Sequence, residues 1–213
     1  MGMPADRIHL IRHGEVHNPD GVLYGRLPSF RLSERGKKMA KLAAEDLLSQ
    51  GRKIVKLYAS PLTRTQQSAE PLAEGLKLTP LLEERIIEPT NIFEGLVVGW
   101  RTVARHPLFI FKLMNPLLPG WGEPYSKVAK RMMAAIEAAE ASVDSGDVVL
   151  VSHQLPIEMV RRTVAGMFLP HNPRRRRCSL SSITSFQRIH GKWVEIDYRE
   201  PALKAHAVDK GAA

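Results

Sequence analysis

Apolar positions along this chain fall into short runs and helical stripes that alternate. Residues 7–12, RIHLIR, form a short apolar run that reads as a strand. Residues 32–51, LSERGKKMAKLAAEDLLSQG, carry apolar positions at helical spacing, with Ser33 placed as a cap and Gly51 as a stop. KIVKLYAS (53–60) predicts a second strand. Ser60-Pro61 then predicts a helix running to about Glu74, with Ser as its cap and Pro at its first position. A long amphipathic helix is predicted over 125–143. DVVLVSH (147–153) is almost wholly apolar, as suits a strand buried on both faces. PIEMVRRTVAG predicts a helix from Pro156 to Gly166, and 181–189 with 192–198 predict a terminal strand pair. Strand–helix alternation implies an α/β fold, a three-layer α/β/α sandwich with a mostly parallel central sheet. With no internal repeat and no linker, one domain over residues 1–200 is expected, followed by a flexible tail at 201–213.

Composition narrows the picture. A length of 213 residues suits one domain with a sizeable core. The formal net charge of +9 favours an anionic partner. The run RRRR at 174–177 resembles a nucleic-acid patch, but it contains no aromatic residue to stack on bases, and no DNA-reading motif surrounds it. It is read as a solvated loop, and no nucleic-acid partner is expected. The longest apolar stretch, 107–118, is broken by Lys112, Asn115 and Pro116, so no membrane span is expected. The first residues lack a signal peptide's apolar stretch and cleavage site, which predicts a cytoplasmic enzyme. Cys178 is alone, excluding a disulfide framework and a thiolate metal cluster.

Three predicted strands end in reactive groups. The first ends in Arg12-His13, the second in Ser60-Pro61 with Arg64 in the next turn, and the third in His153. Ligands of open α/β sheets collect at the carboxyl ends of strands. Two arginines and two histidines meeting there, beside a helix N-terminus, suit a phosphoryl group. Taken singly, a histidine at a strand end or an arginine in a first helical turn is commonplace. Their delivery by three separate strand ends is what changes the odds. His13 and His17 flank Glu15, but this is not the H-E-x-x-H spacing, and Gly14 after a strand opposes a helix. No metal and no cofactor is expected.

LIRHGE, LYASPLTRTQQSAE and VVLVSH together resemble the histidine phosphatase superfamily, with its phosphoglycerate-mutase-like fold, over about residues 7–200. The resemblance implies that His13 is a nucleophile that becomes phosphohistidine. It implies that Arg12, Arg64 and His153 form the phosphate pocket. The family's general acid falls within RIIEPTNIFEGLVVGW, where Glu88 matches the acid position and Glu94 is the rival. Glu83 and Glu84 read as solvated, and Glu15 as a supporting residue. Asn18 and Tyr24-Gly25 match the mutases' first-loop contacts, each one residue closer to the motif, and Tyr24 stands where the mutases carry a small hydroxyl residue. Arg26 and Gln154 complete the candidate substrate contacts. Segment 96–123 lies where this fold often carries a lid, and a substrate-selecting cap and a helical packing element both remain open.

The resulting expectation is a metal-independent phosphomonoesterase acting on a phosphorylated small molecule. The alternatives are a phosphoglycerate-type mutase and a non-catalytic phospho-ligand or nucleic-acid binding module. A mutase holds its substrate partly through a pair of adjacent arginines. Arg161-Arg162 lies inside a helix, read as facing solvent, and Glu88 is followed by Pro89-Thr90-Asn91-Ile92, with no cation. Both favour water as the acceptor. A homodimer is left open.

Overall fold

The computed structural model describes residues 5–97 and 122–205. The strands are β1 (Arg7–Arg12), β2 (Ile54–Ala59), β3 (Leu81–Leu82), β4 (Asp147–Ser152), β5 (Ile183–Ile189) and β6 (Lys192–Arg199). They form one sheet in the order β3-β2-β4-β1-β5-β6. β1, β2, β3 and β4 run parallel, while β5 pairs antiparallel with β1 and with β6. Four α-helices are described: α1 (Glu34–Ser49), α2 (Thr63–Leu76), α3 (Tyr125–Glu140) and α4 (Gln154–Val164). None is long and apolar enough to cross a membrane.

Side chains alternate along each strand, so the two faces of the sheet build two cores. Ile8, Leu10, Val148 and Leu150 pack with α3 and α4 through Val128, Met132, Ile136 and Val160. Ile11, Leu57, Val149 and Val151 pack with α1 and α2 through Ala44, Leu47, Ala69 and Leu72. Every residue of β4 is buried, as its unbroken apolar run requires. Register matters most for function. Arg12 lies opposite Ser152, and Ala59 opposite Val151, so β1, β2 and β4 end at one level. The residues that follow each strand are thereby delivered to one crevice.

Helix boundaries differ from the sequence pattern for local reasons. Ser33 caps α1 as predicted, accepting from the Gly36 N–H. Ser60 does not cap α2. Its N–H extends the ladder to the Val151 carbonyl, and the helix begins three residues later, with Leu62 at the cap position. Thr65 closes the intervening turn by donating its hydroxyl to the Ser60 and Leu62 carbonyls. α4 begins at Gln154 rather than Pro156. Proline is tolerated at the third position because first-turn N–H groups have no intrahelical partner. α3 stops at Glu140, whose carbonyl accepts from Ala5 outside the helix. Glu83, read as solvated, caps the turn Glu84–Ile86 and pairs with Arg85. The turn between β5 and β6 is His190-Gly191, both at positive φ (49° and 78°), as a two-residue hairpin requires.

Residues 201–205, expected to open a flexible tail, instead pack. Ala202 is buried against Met39 and Leu180, and Leu203–Ala205 make one 3-10 turn. The bulk of the expected lid, 98–121, and residues 206–213 lie outside the described residues.

Candidate active site

Arg12, His13, Arg64 and His153 are each 0–2% exposed, at the shared end of β1, β2 and β4. The His13 and His153 rings stand 5.3 Å apart, centroid to centroid. His13 Nδ1 lies 2.8 Å from the carbonyl oxygen of Gly14. A carbonyl can only accept, so Nδ1 carries the proton. Burial, with Arg64 and Arg12 adding to it, holds the His13 pKa well below the ordinary imidazole value. The ring is neutral, and its lone pair sits on Nε2.

The backbone that holds this ring is packed tightly. The Gly14 N–H donates to Ser68 Oγ, whose hydroxyl donates to the Arg64 carbonyl, linking the end of β1 to α2. A Cβ on Gly14 would collide with the Gly36 carbonyl, and one on Gly36 with the Glu15 carbonyl. Glu15 accepts from the Ser33 hydroxyl and pairs with Arg35 at the start of α1. The loop bearing the nucleophile candidate is thus clamped to α1 and α2.

Arg64 Nη2 donates to the Gly25 carbonyl at 2.6 Å and faces His153 Nδ1 at 3.3 Å. Its Nε and Nη1 are buried with no hydrogen-bond partner. Buried donors on a cation left unsatisfied are costly, and an incoming oxyanion would satisfy them. Arg12 Nη1 donates to the Cys178 carbonyl at 2.7 Å. His153 is held from both sides. Its Nδ1 faces a guanidinium that can only donate, so Nε2 carries the proton and donates to Ser60 Oγ at 2.9 Å. Burial first, then Arg64, depresses its pKa well below the ordinary value.

Glu88 is also buried, with Oε2 3.4 Å from His153 Nδ1. Burial raises its pKa above 4.5, outweighing the pull of Arg64, Arg176 and Arg12. Glu94 is placed differently. Its Oε1 accepts from the backbone N–H groups of Arg26 and Asn91, bracing the loop.

The expected substrate contacts divide. Tyr24 is buried, with the Arg64 guanidinium 4.8 Å over its ring and the His13 ring edge-on at 6.3 Å. Gly25 supplies the carbonyl that orients Arg64. Gln154 accepts from Arg176 Nη1 at 3.3 Å. Asn18 turns inward on its own loop, exchanging two hydrogen bonds with the Val22 backbone. Arg26 ties loops together: its Nε donates to the Glu88 carbonyl, and its Nη2 pairs with Glu123.

Three residues escaped the sequence reading. Ser60, read as a helix cap, and Ser68, given no role, both lie in LYASPLTRTQQSAE, and they orient the two histidines' surroundings. Arg176 is the third. The run 174–177 was read as one solvated loop, but Arg176 turns inward to the site. Arg176 itself is extended, and along 176–180 Cys178 and Leu180 are buried while Arg177 is exposed. Extrapolating that two-residue period back by one step places Arg176 inside. The remaining arginines fit the solvated reading, with Arg174 and Arg175 exposed and Arg177 paired with Glu195.

Comparison with known proteins gives a consistent result. The model of the histidine phosphatase superfamily (branch 1) matches residues 8–200. An uncharacterized protein of Mycobacterium tuberculosis is 44% identical over 202 residues, covering 94% of this chain and 99% of the relative. Phosphoserine phosphatase 1 of Hydrogenobacter thermophilus is 31% identical over 169 residues, covering 76% and 78%. A probable phosphoglycerate mutase of Yersinia enterocolitica is 30% identical over 193 residues, covering 83% and 84%. Among solved structures, mycobacterial glucosyl-3-phosphoglycerate phosphatase with inorganic phosphate superposes with a TM-score of 0.73 at 23% identity, over 93% of this chain and 99% of that one.

Proposed function

The chain belongs to the histidine phosphatase superfamily, and from that premise we propose that it is a metal-independent phosphomonoesterase working through a phosphohistidine. The observation that supports this reading is the neutral His13 ring, its lone pair on Nε2, buried with Arg12 and Arg64 near enough for both to depress its pKa. Arg12 and Arg64 take the phosphoryl oxygens, and Arg64 does so with donors that have no other partner. His13 Nε2 attacks phosphorus as the bond to the ester oxygen breaks. Glu88, whose pKa burial raises, gives its proton to the departing alcohol. The resulting carboxylate then takes a proton from water, which attacks phosphorus and breaks the bond to His13. Phosphate leaves and the neutral ring is restored. The arriving dianion offsets the Arg64 and Arg12 charges that, after burial, depress His153, whose ring stands 5.3 Å from that of His13.

His13→Ala is expected to abolish turnover and any acid-labile, base-stable phosphoryl label on the protein. A stable label on that variant, or one mapping to His153, overturns the assignment. In this reading, Arg12 and Arg64 supply the positive charge that a divalent ion would bring. Full activity is therefore expected in excess chelator; a loss restored by adding a divalent ion would refute metal independence.

A further inference from the structure

A cavity of about 240 Å³ opens beside Arg12. Arg12, Arg176, Gln154 and Ser179 line its polar side, and Leu180 and Leu203 belong to its apolar side. No carboxylate is among the described residues that line it. Arg176 is held by neutral groups that include His171, Gln154 and Tyr125. Its Nε donates to His171 Nε2 at 3.0 Å, and its Nη1 donates to Gln154 Oε1. His171 Nδ1 lies 2.7 Å from the Leu169 carbonyl, so Nδ1 holds the ring proton and Nε2 is the acceptor. These neutral partners orient the guanidinium, and the Glu88 and Glu158 carboxylates also act on its charge.

We propose that this cavity is the subsite for the alcohol arm of the substrate, that it takes an arm carrying a second anionic group beside an apolar portion, and that Arg176 selects for that anion. The inference rests on the reading of the Arg12–His13 pocket as the phosphoryl site. Arg12 lines the cavity and belongs to the phosphoryl pocket, which makes the two spaces neighbours. The Arg176 guanidinium and the Gln154 amide favour a carboxylate or a second phosphate, while the Ser179 hydroxyl donates to Glu200. The apolar side favours a carbon skeleton over bare inorganic anion.

Three esters separate the components: 3-phosphoglycerate, 1,3-propanediol bisphosphate, and glycerol 3-phosphate as the arm without a second anion. Arg176→Met is expected to lower kcat/KM for the first two, relative to glycerol 3-phosphate, by roughly ten- to hundredfold, chiefly through KM. Arg176 also bears on the Glu88 pKa, but that effect falls on all three esters and cancels in the ratio. Which of the two acid-bearing esters loses more tells carboxylate from phosphate. Leu203→Glu is the second variant. Leu203 is 67% exposed at the rim, so the fold tolerates a charge there, and the new carboxylate repels the second anion. It is expected to shift the ratio in the same direction. Wild-type protein with no preference among the three, or variants that leave the ratios unchanged, would overturn the subsite. If wild-type protein turns over no ester, the phosphatase reading fails. Calorimetric binding of the same three compounds then still decides the subsite: a preference abolished by Leu203→Glu supports it, and equal binding refutes it.

Discussion

A single carboxyl and a single imidazole set the charge logic of the site, and both are moved by burial. In the proposed mechanism His13 attacks as the neutral ring and Glu88 assists as the protonated acid. The structure depresses the first pKa and raises the second. Activity toward alkyl phosphates is therefore expected to fall as pH rises through the elevated Glu88 value. Glu88→Gln should remove that alkaline decline and slow esters with poor leaving groups by roughly 10²–10⁴-fold. Activated aryl phosphates, whose leaving groups need no proton, should lose far less. Glu94→Gln should show no such dependence on the leaving group, because its carboxylate braces the Arg26 and Asn91 backbone. Leaving-group dependence in Glu94→Gln but not in Glu88→Gln would exchange their roles. Spacing alone left these two carboxyls as rivals, because the choice depends on which one the loop buries and which one it uses as a brace.

Strand ends carry the site, and the strands were the most legible elements of the chain. Continuous apolar runs at 7–12 and 147–153 can bury both faces in only one way, so β1 and β4 follow from pattern. Helix starts were less legible. Ser60-Pro61 has the composition of a cap, yet the ladder reaches one residue further and gives the Ser60 hydroxyl to His153. Arg176 was hidden by a run of identical neighbours, and only the inward period of Cys178 and Leu180 marks it. At the opposite end of the sheet, a buried polar cluster joins β1, β4 and β5. His9 donates to Asp147 and accepts from Ser185, and Asp147 also accepts two hydrogen bonds from Arg52. Burial pushes the Asp147 pKa up, but Arg52 and His9 outweigh it and bring the value down to about 2 from an ordinary 3.8. A carboxyl depressed by folding stabilises above its unfolded value and loses that contribution as pH falls through the folded one. About 2 kcal/mol is therefore expected to disappear between pH 3.8 and about 2. Urea midpoints measured across that range should show the loss in wild-type protein and a flatter profile in Asp147→Asn. Parallel profiles would remove this cluster from the acid response.

Taken as a whole, the proposed mechanism passes the phosphoryl group either to water or back to a turned substrate, and the relatives include a phosphoserine phosphatase and a probable phosphoglycerate mutase. A mutase has to keep the phosphohistidine dry while the alcohol presents a second hydroxyl. It also needs cations that hold the substrate without fixing one orientation. The adjacent pair Arg161-Arg162, expected to face solvent, is instead taken up by Glu158, a fully buried carboxylate on the same helix. Arg26 is bound to Glu123 and to the Glu88 carbonyl. Glu88 is followed by Pro89-Thr90-Asn91-Ile92 and gains no cation there. Arg101 and Arg105 lie outside the described residues. The inward cation that sequence reading missed, Arg176, sits in a cavity to one side of Arg12. In the proposed subsite an anion anchored there would hold the alcohol one way round, which opposes the turn a mutase requires and favours water as the acceptor. With 3-phosphoglycerate as substrate and a bisphosphate primer present, phosphate and glycerate are expected to accumulate, with little 2-phosphoglycerate. The measurement is product analysis over the first turnovers. Formation of 2-phosphoglycerate faster than phosphate release would show that the substrate turns within the site, and the chain would then be a mutase.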